Sequence, residues 1–181
     1  MNKSNLLIVV GSVVAFIIVG VAVVAGVNNT AVRSEQTVQE QQSVIGVQLQ
    51  RRHDLILSLV STVDASGNFE KSTLTDVIAM RQAAKSGDVQ QAQLSLNAVV
   101  EAYPQIKTVA AYQQLMTELS TTENLISEQR KTYNSAVRSY LSYTHSFPSS
   151  MLLNLAGYQK QNYTYLDLNT PSYDPNIFNN K

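Results

Sequence analysis

A continuous apolar run lies near the N-terminus of the sequence. Residues Leu6 to Val27 carry no charge and only one polar side chain, that of Ser12. A helix rises about 1.5 Å per residue, so this run is about 33 Å long and can cross a hydrocarbon core of about 30 Å. We therefore predict a short flank at residues 1–5 and a transmembrane anchor at residues 6–27, with the lipid bilayer as the anchor's partner.

The same run has a competing interpretation as a cleaved signal peptide. Lys3 would supply the positive region of such a peptide, and Val23-Val24-Ala25-Gly26 resembles a small-residue cleavage site. The apolar core of a signal peptide usually extends over only about 7–15 residues, which is shorter than this run. A retained anchor is the favoured interpretation, and it predicts a single-pass membrane protein.

A long amphipathic pattern follows the apolar run. Between Asn29 and Ala65 apolar residues recur at three- and four-residue steps, with no proline to interrupt them. These residues are Val38, Ile45, Leu49, Ile56, Leu59, Val60 and Val63. The pattern predicts one long helix, continuous with the span, that ends at the turn-forming residues Ser66-Gly67-Asn68.

A second helix is predicted from about Phe69 to Ala102. Leu74, Val77, Ile78, Arg81 and Ala84 carry it to Gly87, and Asp88 can cap its continuation. Leu94, Ala98 and Val99 then extend the pattern. The ring of Pro104 disfavours helical geometry at the preceding residue, so the chain should turn there.

The third predicted helix has a seven-residue repeat and ends at Phe147-Pro148. One row contains Tyr112, Leu119, Ile126, Tyr133, Tyr140 and Phe147, and a neighbouring row contains Leu115, Ala136 and Tyr143. A repeat of seven indicates left-handed packing against other helices. Thr122 and Gln129 interrupt the second row, which favours an intramolecular bundle over an extended coiled coil. We expect the tyrosines to pack along the helix with their hydroxyls reaching the surface.

A short fourth helix and a tail complete the chain. Residues 149–158 are mostly apolar, with Ser149 or Ser150 as the expected cap and Gly157 near the helix end. Residues 161–181 are rich in Tyr and Asn and lack a helical period, so we predict a largely irregular tail in which Tyr163 and Tyr165 pack on the bundle. The predicted fold is all-α: an N-terminal transmembrane helix, then, at residues 28–160, an elongated antiparallel bundle of three long helices plus a short fourth.

Composition narrows the possible functions. Of the 181 residues, 13 are Lys or Arg and 13 are Asp or Glu, without a basic block, so we expect no nucleic-acid partner. Cysteine is absent, which removes disulfides, thiolate nucleophiles and cysteine metal ligands. His53 and His145 are the only histidines, and neither belongs to a metal-binding motif. We predict no catalytic, cofactor-binding or metal-binding residues, although a Ser–His–Asp triad is recognised by geometry and stays an alternative.

The densest ionisable cluster is Arg51-Arg52-His53-Asp54. On a helix these side chains point in different directions, so they do not form one site unaided. Arg52 lies on the buried stripe, where a cation needs a carboxylate partner. The candidates on other helices are Glu101, Glu118 and Glu123. A structural ion pair that fixes helix register is the favoured interpretation, and ligand binding is the alternative.

Several segments, in this order, resemble the LemA family. Val47-Gln48-Leu49-Gln50-Arg51-Arg52-His53-Asp54-Leu55-Ile56 is similar to the family's signature segment. Further matching pieces are Glu101-Ala102-Tyr103-Pro104 with Ile106-Lys107, Leu115 with Glu118-Leu119 and Glu123-Asn124, Arg130 with Tyr133-Asn134, and Phe147-Pro148-Ser149. The chain departs from the family pattern at Gln42, where a Trp is usual, at Gly46, where an acidic residue is usual, and in the block 64–70.

The resemblance implies an N-terminally anchored helical bundle, found mainly in bacteria and without an established catalytic activity. One branch of the family is associated with magnetosome membrane formation, and some members are encoded near a membrane metalloprotease. We therefore predict a non-catalytic scaffold or interaction module at the bacterial plasma membrane, with an unidentified protein partner or self-association. The alternative is a protein that remodels or organises the membrane by acting directly on lipid. Basic clusters and an exposed apolar face, which such a protein needs, are scarce in the sequence.

Overall fold

The computed structural model describes residues 3–66 and 74–168, and all the regular secondary structure in these ranges is helical. The elements are α1 (Lys3–Ser66), α2 (Leu74–Ser86), α3 (Val89–Ala102), a 3₁₀ helix (Pro104–Thr108), α4 (Ala110–His145) and α5 (Ser149–Leu155). The all-α prediction is confirmed. The predicted break at 67–68, the start of the second helix near Phe69 and most of the tail lie outside the described residues.

Helix α1 is a single helix of 64 residues. The predicted continuity between the apolar run and the amphipathic pattern is thus confirmed. Among the described residues, α1 is the one helix long and apolar enough to cross a membrane, and an 18-residue stretch of it has a mean hydropathy of 2.7. In this stretch the apolar side chains are exposed all around the helix, for example Leu7 at 72%, Phe16 at 81% and Val21 at 64%. Further along α1, buried residues recur every seven positions, at Ala31, Val38, Ile45, Arg52 and Leu59.

The second predicted helix is interrupted at Gly87. This residue has a φ of 77°, a left-handed conformation that residues with a Cβ rarely adopt. Asp88 then caps α3 as predicted, because its side chain accepts a hydrogen bond from the backbone N–H of Gln91 at 3.0 Å. Helices α2 and α3 pack against each other as a helical hairpin instead of continuing as one rod.

The chain forms two compact units. Unit 1 consists of Met1–Gln42 and Thr132–Tyr165, and unit 2 consists of Ser43–Lys131 and Leu166–Lys181. In unit 2 the core joins α1, the α2–α3 hairpin and the start of α4. The largest fully buried side chains of this core are Ile56, Leu59, Met80 and Leu96.

Unit 1 joins the first part of α1, the end of α4 and α5. Val38, Val137, Tyr140 and Leu153 are completely buried in this unit. The Tyr143 hydroxyl donates to the carbonyl of Val27 at 3.2 Å. Toward the other end of the unit, Ser34 and Thr37 face Ser135 and Ser139 across a small cleft. From the first contact to the second, the residue numbers increase along α1 and decrease along α4. The two helices are therefore antiparallel in unit 1.

The structure corrects several local expectations. Phe147 belongs to the predicted buried row of α4 but is 83% exposed, because the helix ends at His145 before reaching it. Pro148 occupies the N-terminal cap position of α5 and makes no capping hydrogen bond through its side chain, so neither Ser149 nor Ser150 is the cap. Ile78 and Leu94, both assigned to the buried pattern, are 43% and 58% exposed.

Candidate functional site

The predicted ion pair of Arg52 forms inside unit 2. The Arg52 side chain is 6% exposed, and its Nε lies 3.3 Å from Oε1 of Glu123 on α4. Its Nη2 donates to Oε1 of Gln93 on α3 at 2.7 Å. A planar guanidinium presents several donors in fixed directions, so one side chain links α1, α3 and α4. Of the three predicted carboxylate candidates, Glu123 is the partner.

The neighbouring ionisable residues do not converge on Arg52. Arg51 pairs with Glu118 at 3.8 Å on a surface where both side chains are more than a third exposed. Asp54 accepts a hydrogen bond from the Gln50 side chain on the same helix at 2.9 Å. An exposed pair of this kind contributes little to stability, whereas the Arg52 contacts fix how three helices meet. The structural interpretation of the cluster is therefore the one that the geometry supports.

The two histidines lie in different surroundings. His53 is half-buried on α1 in unit 2, and His145 is exposed at the end of α4 in unit 1. Nδ1 of His145 lies 3.0 Å from the Leu141 carbonyl oxygen and 3.2 Å from Thr144 Oγ1. Among the described residues there is no group of three or more His, Cys, Asp or Glu side chains placed to hold a metal ion.

Unit 1 contains a tyrosine network that the sequence did not reveal. The Tyr158 hydroxyl donates to Oε2 of Glu35 at 2.5 Å and lies 3.3 Å from the Tyr140 hydroxyl. The Tyr140 hydroxyl also accepts from the backbone N–H of Gln161 at 2.8 Å. Because Tyr158 gives its single proton to Glu35, Tyr140 is the donor in the contact between the two hydroxyls. The bonds therefore run in one direction, from Gln161 through Tyr140 and Tyr158 to Glu35.

Tyr163 extends this network and closes the segment over the helices. Its ring meets the Tyr140 ring edge-on, with centroids 5.3 Å apart, and its hydroxyl accepts from the Gln39 side chain at 3.4 Å. We expected the tyrosine hydroxyls of α4 to reach the surface, but Tyr140 is completely buried and its hydroxyl does not. Tyr163 packs on the helices as predicted, whereas Tyr165 is 49% exposed. The network holds residues 158–163 against α1 and α4 within unit 1.

Burial sets the protonation of these tyrosines. Desolvation raises the pKa of Tyr158, and its hydrogen bond to Glu35 raises that pKa further. Burial likewise raises the pKa of Tyr133 and of Tyr163. A phenol with a raised pKa keeps its proton at neutral pH, so Tyr158 stays a donor to Glu35.

An apolar groove of about 780 Å³ opens beside the apolar part of α1. Phe16, Gly20 and Val24 contribute to one wall, and Leu152 and Leu155 of α5 form the other. Asn28 is the one polar residue among the described residues that line it. This groove was not predicted from the sequence, since it depends on how α5 lies beside the apolar run.

The family model for the LemA family matches residues 41–177, which cover more than half of the chain. The chain belongs to the LemA family. The curated protein "Protein LemA" of Metamycoplasma hominis is 25% identical to it over 166 residues, covering 82% of this chain and 76% of that protein. Both Arg52 and the Tyr140–Tyr163 pair lie within the range that the LemA model matches.

Proposed function

We propose that this LemA-family chain is a membrane-anchored, non-catalytic scaffold or interaction module of the bacterial plasma membrane. The observation that carries the proposal is the apolar stretch of α1, most of whose described side chains are exposed, and which continues without a break into the amphipathic part of the same helix. Soluble monomers rarely expose contiguous apolar surface of this extent, and a bilayer is the surrounding that covers it.

The contacts of the ionisable side chains support a structural role for the bundle. Arg52 is committed to Glu123 and Gln93, and Arg81 on α2 bonds to Asp64 on α1. Glu35 accepts from Tyr158. Catalytic acids and bases are held ready for a substrate, whereas these groups link helices to one another or to the segment after α5.

The proposed role requires that the chain binds a partner. Exposed positions in unit 2 can carry a crosslinker that detects this binding. Val47 on α1 and Leu94 on α3 are 66% and 58% exposed. A photo-crosslinking amino acid at either position of the full chain, irradiated in cells, is expected to give one adduct of reproducible mass. That adduct contains either another protein or a second copy of the chain.

The same crosslinker at Phe16, inside the apolar stretch, is the matched control. It reports neighbours in the bilayer and separates them from partners of unit 2. If irradiation at Val47 and at Leu94 repeatedly gives no discrete adduct while Phe16 reacts with membrane components, the interaction role is wrong and only the anchor survives.

A second candidate function is direct action on lipid, and α5 favours it. Three apolar side chains in and beside this helix are strongly exposed: Phe147 at 83%, Met151 at 62% and Leu155 at 74%. They form an exposed apolar face, a feature that was expected to be scarce from the sequence. Electron microscopy of liposomes carrying the full chain at rising density tests this function. Tubules or constrictions that the F147S/L155S variant does not form would support remodelling, and unchanged liposome shape would refute it.

A further inference from the structure

The groove beside α5 has one wall that belongs to the proposed anchor. Phe16, Gly20 and Val24 lie within the apolar run, and Leu152, Leu155 and Ala156 face them from α5. All of these residues belong to unit 1. If the apolar run spans a bilayer, one wall of the groove is therefore a transmembrane helix, and the groove cannot be filled by water at hydrocarbon depth without a large cost.

The position of α5 along the anchor follows from a hydrogen bond. The Tyr143 hydroxyl contacts the carbonyl of Val27, the last residue of the apolar run, at 3.2 Å. Helices α1 and α4 are antiparallel in unit 1, so the residues after Tyr143 lie beside the apolar run and not beyond its end. The turn at Phe147 and helix α5 therefore lie beside the half of the span that ends at Val27, along which the groove is lined from Phe16 to Asn28.

The chemistry of α5 suits this depth. From Phe147 to Gly157 the sequence contains no charged residue. Its exposed side chains include Phe147, Met151 and Leu155. Polar contacts begin on the side away from the hydrocarbon: Lys160 Nζ donates to Ser150 Oγ at 2.9 Å, and Tyr158 donates to Glu35. Tyrosine and lysine at the boundary of an apolar region are typical of a membrane interface.

We propose that the groove between the apolar run and α5 binds an acyl chain of a bilayer phospholipid, and that α5 enters the outer part of the hydrocarbon beside the anchor. This inference rests on the proposed function, because it requires the apolar run to be in the bilayer. The lipid is the occupant that the groove fits, since its long wall is continuous with the surface that the bilayer covers. The tyrosine network then holds α5 at this depth by fixing residues 158–163 to α1 and α4.

The absence of tryptophan from the chain allows a direct test. Single-tryptophan variants of the full chain, each placed at one copy per lipid nanodisc, report contact with lipids whose acyl chains carry bromine, a quencher of indole fluorescence. Leu155→Trp probes the groove, Phe16→Trp probes the middle of the span, and Leu94→Trp is an exposed control in unit 2. All three sites are more than half exposed, so the indole is tolerated, which far-UV circular dichroism verifies.

The expected result is a depth order. Leu155→Trp loses most of its emission to bromines placed near the headgroup end of the acyl chain. Phe16→Trp is quenched most by bromines near the terminal methyl group, and Leu94→Trp is not quenched by either lipid.

Three results would overturn the inference in distinguishable ways. If Phe16→Trp is quenched but Leu155→Trp behaves like Leu94→Trp, the groove holds no lipid while the anchor stands. If Phe16→Trp is also unquenched, the anchor and the groove proposal fail together. Quenching of Leu155→Trp that disappears when two copies share a disc would assign the groove to a second copy of the chain instead of lipid.

Discussion

Replacing Glu123 by alanine should destabilise unit 2 more than removing its partner Arg52. The Glu123→Ala variant leaves the guanidinium of Arg52, only 6% exposed, without its carboxylate. The Arg52→Met variant removes the charge altogether and fills the space with an unbranched apolar side chain of similar length. The comparison therefore separates the cost of an uncompensated buried charge from the worth of the ion pair.

The structure sets the expected magnitudes. Removing one partner of a fully buried pair costs about 3–5 kcal/mol, but the Glu123 side chain is 38% exposed and water partly replaces it. Gln93 also stays bound to Arg52 at 2.7 Å. We expect Glu123→Ala to lower the free energy of unfolding by about 2 kcal/mol, and Arg52→Met to lower it by about 1 kcal/mol or less. With Arg52 already replaced, adding Glu123→Ala should cost almost nothing.

Urea titration of the full chain in nanodiscs, followed by far-UV circular dichroism, measures these differences. The apolar part of α1 stays helical in lipid, so the transition reports the unfolding of the other helices. The matched control is Glu118→Ala, which removes the exposed partner of Arg51 and should change the unfolding free energy by less than about 0.5 kcal/mol. An Arg52→Met cost equal to or above that of Glu123→Ala, or additive costs in the double variant, would show that the unpaired charge of Arg52 does not cause the loss.

Four further variants test the cap of α3, the turn at Gly87 and the hydroxyl of Tyr158. Asp88→Ala should lower the free energy of unfolding by about 1 kcal/mol because α3 loses its cap, and Asp88→Asn should restore most of it, as measured by the same titration; equal losses in both variants would contradict the capping role. Gly87→Ala should cost about 1 kcal/mol because φ is 77°, and no change in the urea midpoint would contradict the strained turn. The raised pKa of Tyr158 means that the folded state holds its proton more tightly than the unfolded state, whose pKa is 10.0. This stabilisation is complete below pH 10 and is lost as the pH rises above it. The unfolding free energy of Tyr158→Phe should therefore fall less between neutral pH and the alkaline range than that of the unsubstituted chain. The same pH profile in both proteins would contradict this role of Tyr158.

Where local sequence decides the structure, the sequence predicted it well. The uninterrupted period of α1, the break at Pro104 and the cap at Asp88 depend on residues a few positions apart. The burial of Arg52 follows from the same period. Because a buried cation needs a carboxylate partner, the candidates for that partner were limited to three glutamates. Choosing Glu123 among them required knowing how α1 and α4 align, which a helical period does not specify.

What the sequence missed depends on contacts between distant residues. The network joins Glu35 with Tyr140, Tyr158 and Tyr163, and the last of these lies in a segment without a helical period. The packing of Tyr163 on the bundle was predicted, but no local pattern indicates that its partners are Gln39 on α1 and Tyr140 on α4. The exposure of the apolar side chains of α5 was not predicted either, because hydrophobicity alone does not distinguish a face packed on protein from an exposed one.

Membrane anchoring by the apolar run is the central claim, and extraction of membranes with alkaline carbonate tests it most directly. If the run is a retained anchor, the full chain stays in the membrane pellet and its intact mass still includes residues 6–27. Recovery of the chain in the carbonate supernatant, or a mature mass that begins after Val27, would contradict the account and assign the run to a cleaved signal peptide.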